Sequence, residues 1–367
     1  MFSSFLPFNP KKKRIPKNSE DWKKNFPELF FLEEDCPKIE AYLKANHFLQ
    51  PGERVLSSQS SKGSTIDKMV KVQTNNRTVI LKQARPWIEA FPLSRAPMSR
   101  ISREVEFYNM AFGDPFLRSF ISQPLLVDKA NYLLILPDDT TKDFSEIYSK
   151  ESFSMHDLAA IVEFLSYLHN RFFNARPILR FENQAMRKYH WRSLFVMPFK
   201  LKKNRAFSEN EKQLEVLIRR FMSDWKFYAA MKQAGYRYLD QGPTLIHGNF
   251  QPGCWFQRIN GPEIRGFESM ICGRPEIDLG FLLAHLLLSN LPEHILYVLN
   301  HYKPVKGFDW DFAFKIAGAE IFRNIVQPLS SSKLPISALA KKKLLWTSYK
   351  MLIEKPDIIN QIALSSK

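Results

Sequence analysis

The sequence predicts an α+β fold of two lobes, a small β-rich N-lobe followed by a larger and mostly helical C-lobe. Short β-rich runs separated by turn residues occupy the chain up to Pro137. Beyond that residue, apolar side chains recur at the three- and four-residue spacing of amphipathic helices. A length of 367 residues, of which 45% are hydrophobic, allows two or three domains. We therefore expect a basic tail over residues 1–24, an N-lobe over 25–137 and a C-lobe over 138–367.

The N-lobe is predicted to open with a helix and a loop. The segment "CPKIEAYLKANHFL" places Ile39, Leu43 and Phe48 on one side, as a helix that packs on a core requires. The stretch "SSQSSKGST", Ser57–Thr65, is rich in serine and contains one glycine, Gly63, so we expect it to be a loop.

A hairpin, a helix and two further strands are predicted to complete this lobe. The β-rich runs "KMVKVQ" and "RTVILKQ" are joined by the turn "TNNR", which is typical of a hairpin. The segment "APMSRISREVEFYNMAF" then reads as a helix. Two more strands flank a turn at Asp128–Asn131, and the lobe ends near Pro137.

Amphipathic helices dominate the predicted C-lobe. The segment "MHDLAAIVEFLSYLHNRFF" has an apolar stripe of Leu158, Ile161, Val162, Leu165 and Leu168. A capping box of Ser208 and Glu211 predicts the start of another helix. The apolar residues of that helix are Leu214, Leu217, Ile218, Phe221 and Trp225. The longest apolar run, Leu279–Leu291, is too short to span a bilayer and predicts a buried helix.

The composition limits compartment and partners. The formal net charge is +16, but the basic residues are spread over the chain, and the dense cluster Lys11–Lys17 is interpreted as a solvated tail. A targeting or polyanion-docking role for that cluster is the alternative. Because no nucleic-acid-reading motif accompanies the charge, we do not expect nucleic acid as a partner. Three cysteines without metal-ligand spacing, and no signal-peptide pattern, predict a cytoplasmic protein without a membrane span.

Four features follow one another in an order that suggests a nucleotide site. Lys82 lies on a strand after the hairpin, where its ammonium could reach phosphates, and Glu104 in the next helix could pair with it. A loop follows in "LIHGNFQPGCWF", Leu245–Phe256, and a second loop lies in Arg265–Gly280. A β-rich lobe, a helical lobe and such loops between them are the plan of a bilobal protein-kinase-like fold.

The motifs resemble those of the methylthioribose kinases, within the aminoglycoside phosphotransferase and choline kinase group. "LKQARPW" resembles the family segment "KQALPY", and "LIHGNFQPGCWF" resembles the catalytic loop "LIHGDLHTGS". "GFESMICGRPEIDLGFLLAHLLL" resembles the metal loop "DPEFAFYGPMGFDIGAFLANLL" without a gap. "GAEIFRNIV" resembles "EMIRRI", whose arginines contact the sugar. The resemblance spans nearly the whole chain and implies a homodimer that binds nucleotide and a small-molecule ligand.

The resemblance also implies a role for individual residues. It places Lys82 on the α- and β-phosphates of ATP, Glu104 beside that lysine, and Glu268 on Mg²⁺. The remaining matches are His247 as support of the catalytic loop, Asp278 as a brace between the two loops, and Arg323 as a reader of the substrate.

Three positions depart from the family pattern. Asn249 stands where the family has its catalytic aspartate, Gly266 where it has a metal-binding aspartate, and Asn324 where it has the second substrate arginine. An amide cannot accept a proton at neutral pH, and a glycine offers the metal no side-chain ligand. We therefore expect a pseudokinase that keeps a ligand pocket, with phosphotransferase activity lost or severely impaired and with ATP and Mg²⁺ held loosely.

Two other functions stay open at this point. One is an active but divergent ATP-dependent kinase of a small sugar or alcohol, in which Glu268 or another acidic side chain holds the metal. The other is a basic interaction module that binds a polyanion by charge alone.

Overall fold

A computed structural model describes residues 19–61, 66–138, 142–149, 153–175, 181–200, 212–326 and 336–354. The cluster Lys11–Lys17 and the capping box Ser208–Glu211 lie outside these residues, as does Gly63 of the serine-rich stretch. The two-lobed α+β prediction is confirmed by the elements that the structure contains.

The N-lobe is built on an antiparallel sheet of five strands. Its strands and those of a small neighbouring ribbon are β1 (Val55–Ser60), β2 (Lys68–Thr74), β3 (Thr78–Gln83), β4 (Trp87–Ile88), β5 (Phe91–Arg95), β6 (Leu126–Asp128) and β7 (Leu133–Pro137). The sheet order is β1-β2-β3-β7-β6, while β4 pairs with β5. The helices are α1 (Ser19–Lys23), α2 (Cys36–Ala45), α3 (Arg100–Phe112) and α4 (Pro115–Ser119). The predicted hairpin is thus confirmed as β2–β3.

Strand alternation sends the two faces of this sheet to different cores. Val79 and Leu81 of β3 pack with apolar residues of α2, whereas Ile80 belongs to the large core that continues into the C-lobe. Because successive side chains of a strand point to opposite faces, Lys82 shares the face of Ile80. The register places Lys82 between Met69 of β2 and Leu134 of β7. The sheet therefore directs this lysine toward the cleft between the lobes.

The serine-rich stretch was wrongly predicted as a loop along all of its length. Ser57–Ser60 belong to β1, which pairs with β2 at the edge of the sheet. Most of the side chains of this strand are exposed, so no apolar alternation reveals it in the sequence. An edge strand of this kind is stabilised by its backbone hydrogen bonds rather than by burial.

The C-lobe consists of helices with a few short strands between them. The helices are α5 (Met155–Arg171), α6 (Gln184–Trp191), α7 (Met197–Lys200), α8 (Lys212–Ser223), α9 (Trp225–Leu239), α10 (Glu276–Leu288), α11 (Pro292–His301), α12 (Trp310–Val326) and α13 (Ala338–Ile353). The strands are β8 (Lys142–Asp143), β9 (Thr244–Ile246), β10 (Trp255–Arg258), β11 (Gly261–Ile264) and β12 (Ile271–Gly273). Within the described ranges, no helix has the length and apolar content that a bilayer crossing requires.

Two buried helices, α10 and α12, form the centre of the C-lobe. The predicted buried helix over the longest apolar run corresponds to α10, in which nearly every side chain is buried. The two helices cross closely at Gly280, where a Cβ atom would lie 2.6 Å from the Cβ of Ile316. The absence of a side chain at this position is what lets the backbones approach.

The sequence prediction for Trp225 was wrong. The structure ends α8 at Ser223 and begins α9 at Trp225, because the carboxylate of Asp224 accepts a hydrogen bond from the backbone N–H of Lys226 and caps a new helix. The four other apolar residues predicted for this face are buried, but Trp225 is 73% exposed. Trp225 fits the apolar spacing of α8 in the sequence, but it belongs to the next helix and therefore points elsewhere.

Short strand pairs bring the two predicted loops together. β9 pairs with β12, and β10 pairs with β11. The chain segment 247–254, here called the His247 loop, joins β9 to β10, and segment 265–270, the Glu268 loop, joins β11 to β12. Both loops therefore lie side by side beneath the face of the sheet that carries Lys82. None of the three cysteines forms a disulfide.

Candidate functional site

Three buried carboxylates surround the ammonium of Lys82. Its Nζ lies 2.6 Å from Oε2 of Glu104, 2.6 Å from Oε2 of Glu268 and 3.3 Å from Oδ2 of Asp67. Carboxylate oxygens of these three acids lie within 4.8 Å of one another. The ammonium donates hydrogen bonds to Glu104 and Glu268, and its contact with Asp67 is an ion pair.

Arg100 provides a second positive charge beside this cluster. This fully buried side chain, at the start of α3, donates from Nε to Oδ1 of Asp67 at 2.7 Å. Its Nη1 donates to the backbone carbonyl of Arg85 at 2.8 Å. Three carboxylates and two cations thus share a site that is shielded from water, and the site retains one excess negative charge if all are ionised.

Burial and this excess of carboxylates shift the titration of the cluster. Burial, with the neighbouring carboxylates of Glu268 and Asp67, raises the pKa of Glu104 to about 7, although Lys82 opposes the change. Burial acts in the same direction on Glu268, but the ammonium of Lys82 outweighs it and lowers the pKa of Glu268. The carboxylates hold the pKa of Lys82 well above its usual range despite its burial. Of the two glutamates, Glu104 therefore binds a proton more readily than Glu268.

Replacing Glu104 by glutamine is expected to flatten the pH dependence of stability. Because the folded protein binds this proton more tightly than the unfolded chain does, the free energy of unfolding is greatest below the ordinary glutamate pKa and falls as pH rises through 7. We expect the wild type to lose about 1–3 kcal/mol from this group between pH 5 and pH 8. Urea unfolding at several pH values measures the loss.

Glu268→Gln is the matched control for that measurement. The folded-state pKa of Glu268 is lowered, so its carboxylate stabilises the protein above the unfolded pKa, and the amide should cost stability at pH 8. The slope between pH 5 and 8 should become shallower but persist, because burial and Asp67 still raise the pKa of Glu104. An unchanged slope in Glu104→Gln would contradict the assignment of the proton to Glu104.

The buried carboxylate of Asp278 holds the start of the His247 loop. Its Oδ2 accepts the backbone N–H of His247 at 2.7 Å, and its Oδ1 accepts that of Gly248 at 2.8 Å. The ring of His169 adds a third contact, with Nε2 at 3.2 Å from Oδ2. Gly248 has a φ of +79°, a conformation that favours glycine. Asp278, in the first turn of α10, thereby fixes the bend at which β9 ends and the His247 loop begins.

The side chain of His247 connects the two loops. Its Nε2 lies 2.9 Å from the backbone carbonyl of Arg265, which can only accept, so Nε2 carries the proton. Its Nδ1 can then accept the backbone N–H of Asn249 at 3.3 Å. Burial lowers the pKa of His247, which favours this neutral form. Asn249 is thus held by its backbone, and its side chain faces the cleft.

Gly266 leaves little room for a side chain. Its φ of +89° is a left-handed conformation that strains other residues. A Cβ built on it would lie 3.0 Å from Sγ of Cys254, which is tighter than an ordinary contact. That thiol donates to the backbone carbonyl of Asn249 at 3.3 Å, and burial raises its pKa, so it stays neutral. The Glu268 loop is therefore packed around a glycine.

Two cavities meet at Asn249. The first lies between the lobes, encloses about 470 Å³ including its open side, and is lined by residues from both lobes. Among these are Ile66, Lys82, Glu104, Asn249, Gly266 and Glu268. The second encloses about 380 Å³ and is lined by Tyr189, His190, Asn249, Gln251, Glu320 and Arg323 among others. Six of the sequence-predicted site residues thus line one or both of these two connected spaces.

Helix α12 presents Arg323 to the second cavity, but not Asn324. Both Nε and Nη2 of Arg323 donate to the carboxylate of Glu320, Nε at 2.8 Å. Burial alone would raise the pKa of Glu320, but the guanidinium of Arg323 outweighs it and lowers that pKa to about 2. Asn324 donates to Glu320 as well, at 2.7 Å, and is not among the residues that line the cavity. Of the two predicted substrate residues, Arg323 therefore lines the cavity, whereas Asn324 contacts Glu320 without lining it.

Sequence reasoning missed Asp67, Arg100 and Glu320. Glu320 precedes Arg323 by three residues in the quoted segment "GAEIFRNIV", and that spacing alone indicates a pair on one helix face. Asp67 and Arg100 carry no such signal, because each meets Lys82 or its neighbours only through the tertiary fold.

Solved structures share this architecture. The chain resembles spectinomycin phosphotransferase, crystallised with ADP and spectinomycin, with a TM-score of 0.52 at 13% sequence identity over 90% of this chain and 98% of that one. This chain has a protein-kinase-like fold. A choline kinase from Streptococcus pneumoniae is also similar, with a TM-score of 0.48 at 15% identity over 86% of this chain and 97% of that one. No protein-family model and no curated protein matches the sequence.

Proposed function

We propose that this protein is a methylthioribose-kinase-like pseudokinase, which keeps the ligand pocket of its fold while its phosphoryl transfer is lost or severely impaired. The observation that carries this proposal is the geometry at Gly266. The resemblance gives this position to a metal-binding carboxylate, whereas here the backbone is left-handed and the space for a Cβ is limited by the Cys254 thiol.

The position that the family gives to its metal does not provide an ordinary magnesium site here. Mg²⁺ prefers octahedral oxygen ligands and is usually held by one or two carboxylates together with phosphates. Gly266 supplies no side-chain oxygen, the neutral thiol of Cys254 is not a ligand for a hard cation, and the Glu268 carboxylate is paired with Lys82. A nucleotide would therefore have to bring a metal to a site without a prepared pair of carboxylates.

The ammonium of Lys82 is already paired with carboxylates. Where the family resemblance places the α- and β-phosphates, the ammonium already contacts three carboxylates. A phosphate would have to displace one of them, and the excess negative charge of the cluster would repel it. Asn249 adds a further loss, because a general base contributes roughly 10²–10⁴-fold to such reactions and an amide cannot serve as one.

A divergent but active kinase is the second candidate, and one observation favours it. Asp67, Glu104 and Glu268 bring carboxylate oxygens within 4.8 Å of one another, close enough to bind one cation. For such a site to form, the ammonium of Lys82 would have to move out of the centre that it now occupies. The two candidates therefore differ in whether a divalent cation binds without nucleotide.

Calorimetric titration and turnover assays separate these candidates. We expect the purified protein to bind ATP no more tightly with Mg²⁺ than without it, and to show no metal-dependent turnover with sugars or small alcohols. Turnover near the roughly 1–10³ s⁻¹ of ordinary enzymes would contradict the proposal. Binding of Mg²⁺ or Mn²⁺ alone that is abolished in Asp67→Asn would favour the second candidate.

A revertant provides the positive control. Asn249→Asp introduces the base and Gly266→Asp introduces the metal ligand that the family resemblance implies. Cys254→Ser gives the new side chain at residue 266 more room. We expect this triple variant to gain at least about 100-fold in metal-dependent turnover over the wild type. The same variant without Cys254→Ser should be less stable and less active. A folded, inactive triple variant would mean that more than these groups has been lost.

A further inference from the structure

Three helices of the C-lobe pack together, and none of them contributes a residue to the lining of the two cavities. α8, α9 and α13 pack together through aromatic side chains, with the rings of Phe221 and Trp346 5.0 Å apart and those of Phe227 and Tyr349 5.7 Å apart. The Tyr349 hydroxyl also donates to Asp224, the residue between α8 and α9, at 2.6 Å. The outward side of these helices is called the α8–α9–α13 surface below.

This surface is basic. Neither α9 nor α13 contains an aspartate or a glutamate, whereas α13 carries the run Lys341-Lys342-Lys343 and α9 carries Lys226 and Lys232. Both lysines of α9 are exposed and have no ion-pair partner among the described residues. With α8 included, the three helices contain ten lysines and arginines and a single glutamate, Glu215.

The same surface exposes large apolar side chains. Trp225 is 73% exposed, Tyr228 51% and Tyr236 55%. Their spacing along α9 places them within one stripe of the helix, with Lys232 between them and its Nζ 5.7 Å from the ring centre of Tyr236. The aliphatic Val216 of α8 and Leu339 of α13 are also more than 60% exposed.

We propose that the α8–α9–α13 surface binds the face of an anionic phospholipid bilayer, without crossing it. Trp and Tyr have an apolar body and a polar tip that suit the interface between headgroups and acyl chains. Lysines beside them gain about 1 kcal/mol each from acidic lipids. The exposed valine and leucine favour lipid over nucleic acid, because aliphatic side chains do not stack on bases.

A second copy of the chain fits this surface poorly. A symmetric contact would bring the lysines of α9 and α13 against their own equivalents, and like charges at close range repel. An acidic bilayer instead offers both opposite charge and an apolar layer, which are the two properties that the surface combines.

Vesicle co-sedimentation with the full-length protein tests the proposal. We expect it to bind vesicles of phosphatidylcholine and phosphatidylserine, to ignore vesicles of phosphatidylcholine alone, and to lose most binding when salt rises from about 0.1 M to about 0.5 M. Lys226→Glu with Lys232→Glu should weaken binding at least about tenfold. Trp225→Ala with Tyr228→Ala should weaken it while leaving the salt dependence unchanged.

Lys24→Glu with Lys129→Glu is the matched control, since it changes the net charge equally at exposed sites of the N-lobe. It should reduce vesicle binding by less than about threefold if the binding is local to the proposed surface. An equal loss in both lysine pairs would overturn the proposal, as would failure of the wild type to bind acidic vesicles. Binding to a single-stranded oligonucleotide but not to vesicles, lost in the α9 variants, would overturn it in favour of nucleic acid.

Discussion

Replacing Lys82 by methionine is expected to lower the free energy of unfolding by roughly 3–5 kcal/mol, because breaking a buried ion pair leaves uncompensated charge behind. The ammonium is enclosed by Glu104, Glu268 and Asp67, and the lysine is 3% exposed. Its removal would leave Arg100 alone to balance three carboxylates. Urea unfolding at neutral pH measures the effect.

Two further variants make this prediction specific. Lys82→Met combined with Glu268→Gln should recover part of the loss, since one of the unpaired carboxylates is then neutral. Lys71→Met on the neighbouring strand removes a lysine that pairs with Asp138 but is 42% exposed, and it should cost less than about 1 kcal/mol. The loss in Lys82→Met should also shrink as pH falls and the carboxylates bind protons. Equal stability of Lys82→Met and the wild type would rule out the structural role assigned to the cluster.

Replacing Asp278 by alanine is expected to cost roughly 3–5 kcal/mol and to loosen the His247 loop. The backbone N–H groups of His247 and Gly248 would lose their acceptor, and so would the ring of His169 if Nε2 carries its proton. Buried donors that lose their partner are costly because water cannot replace it. Thermal unfolding gives the total effect.

Hydrogen exchange distinguishes a local effect from a general loss of stability. The amides of His247 and Gly248 should exchange faster in Asp278→Ala by more than the change in global stability accounts for. Asp278→Asn keeps one acceptor oxygen but turns an N–H₂ group toward the other donors, so its loss should be intermediate. Protection of these two amides equal to that of the wild type would contradict the role of Asp278.

The elements whose signals lie within one short stretch of sequence could be predicted. The β2–β3 hairpin has its turn residues and its β-rich runs in one short segment, and α10 has an uninterrupted apolar run. The same β-rich run predicted that Lys82 lies on a strand, and it lies in β3. The edge strand β1 and the helix boundary at Asp224 were missed, since neither changes the apolar pattern.

The site was only partly predictable for a different reason. The order of the motifs predicted Lys82 and Glu104, and the family resemblance added Glu268. The structure brings Lys82 into contact with both glutamates, although Glu268 lies 186 residues away in the sequence. Sequence reasoning could not identify Asp67, an isolated aspartate at the end of a serine-rich stretch. Nor could it show that Arg323 and Glu320 line the cavity while Asn324 does not, because that depends on the rotation of α12 against its neighbours.

The contact between Gly266 and Cys254 makes the effect of a substitution at one position depend on the residue at the other. With the thiol 3.0 Å from where a Cβ would stand, a side chain at residue 266 requires the thiol to shift, in addition to the strain of the positive φ. Gly266→Asp should therefore be tolerated better after Cys254→Ser than before it.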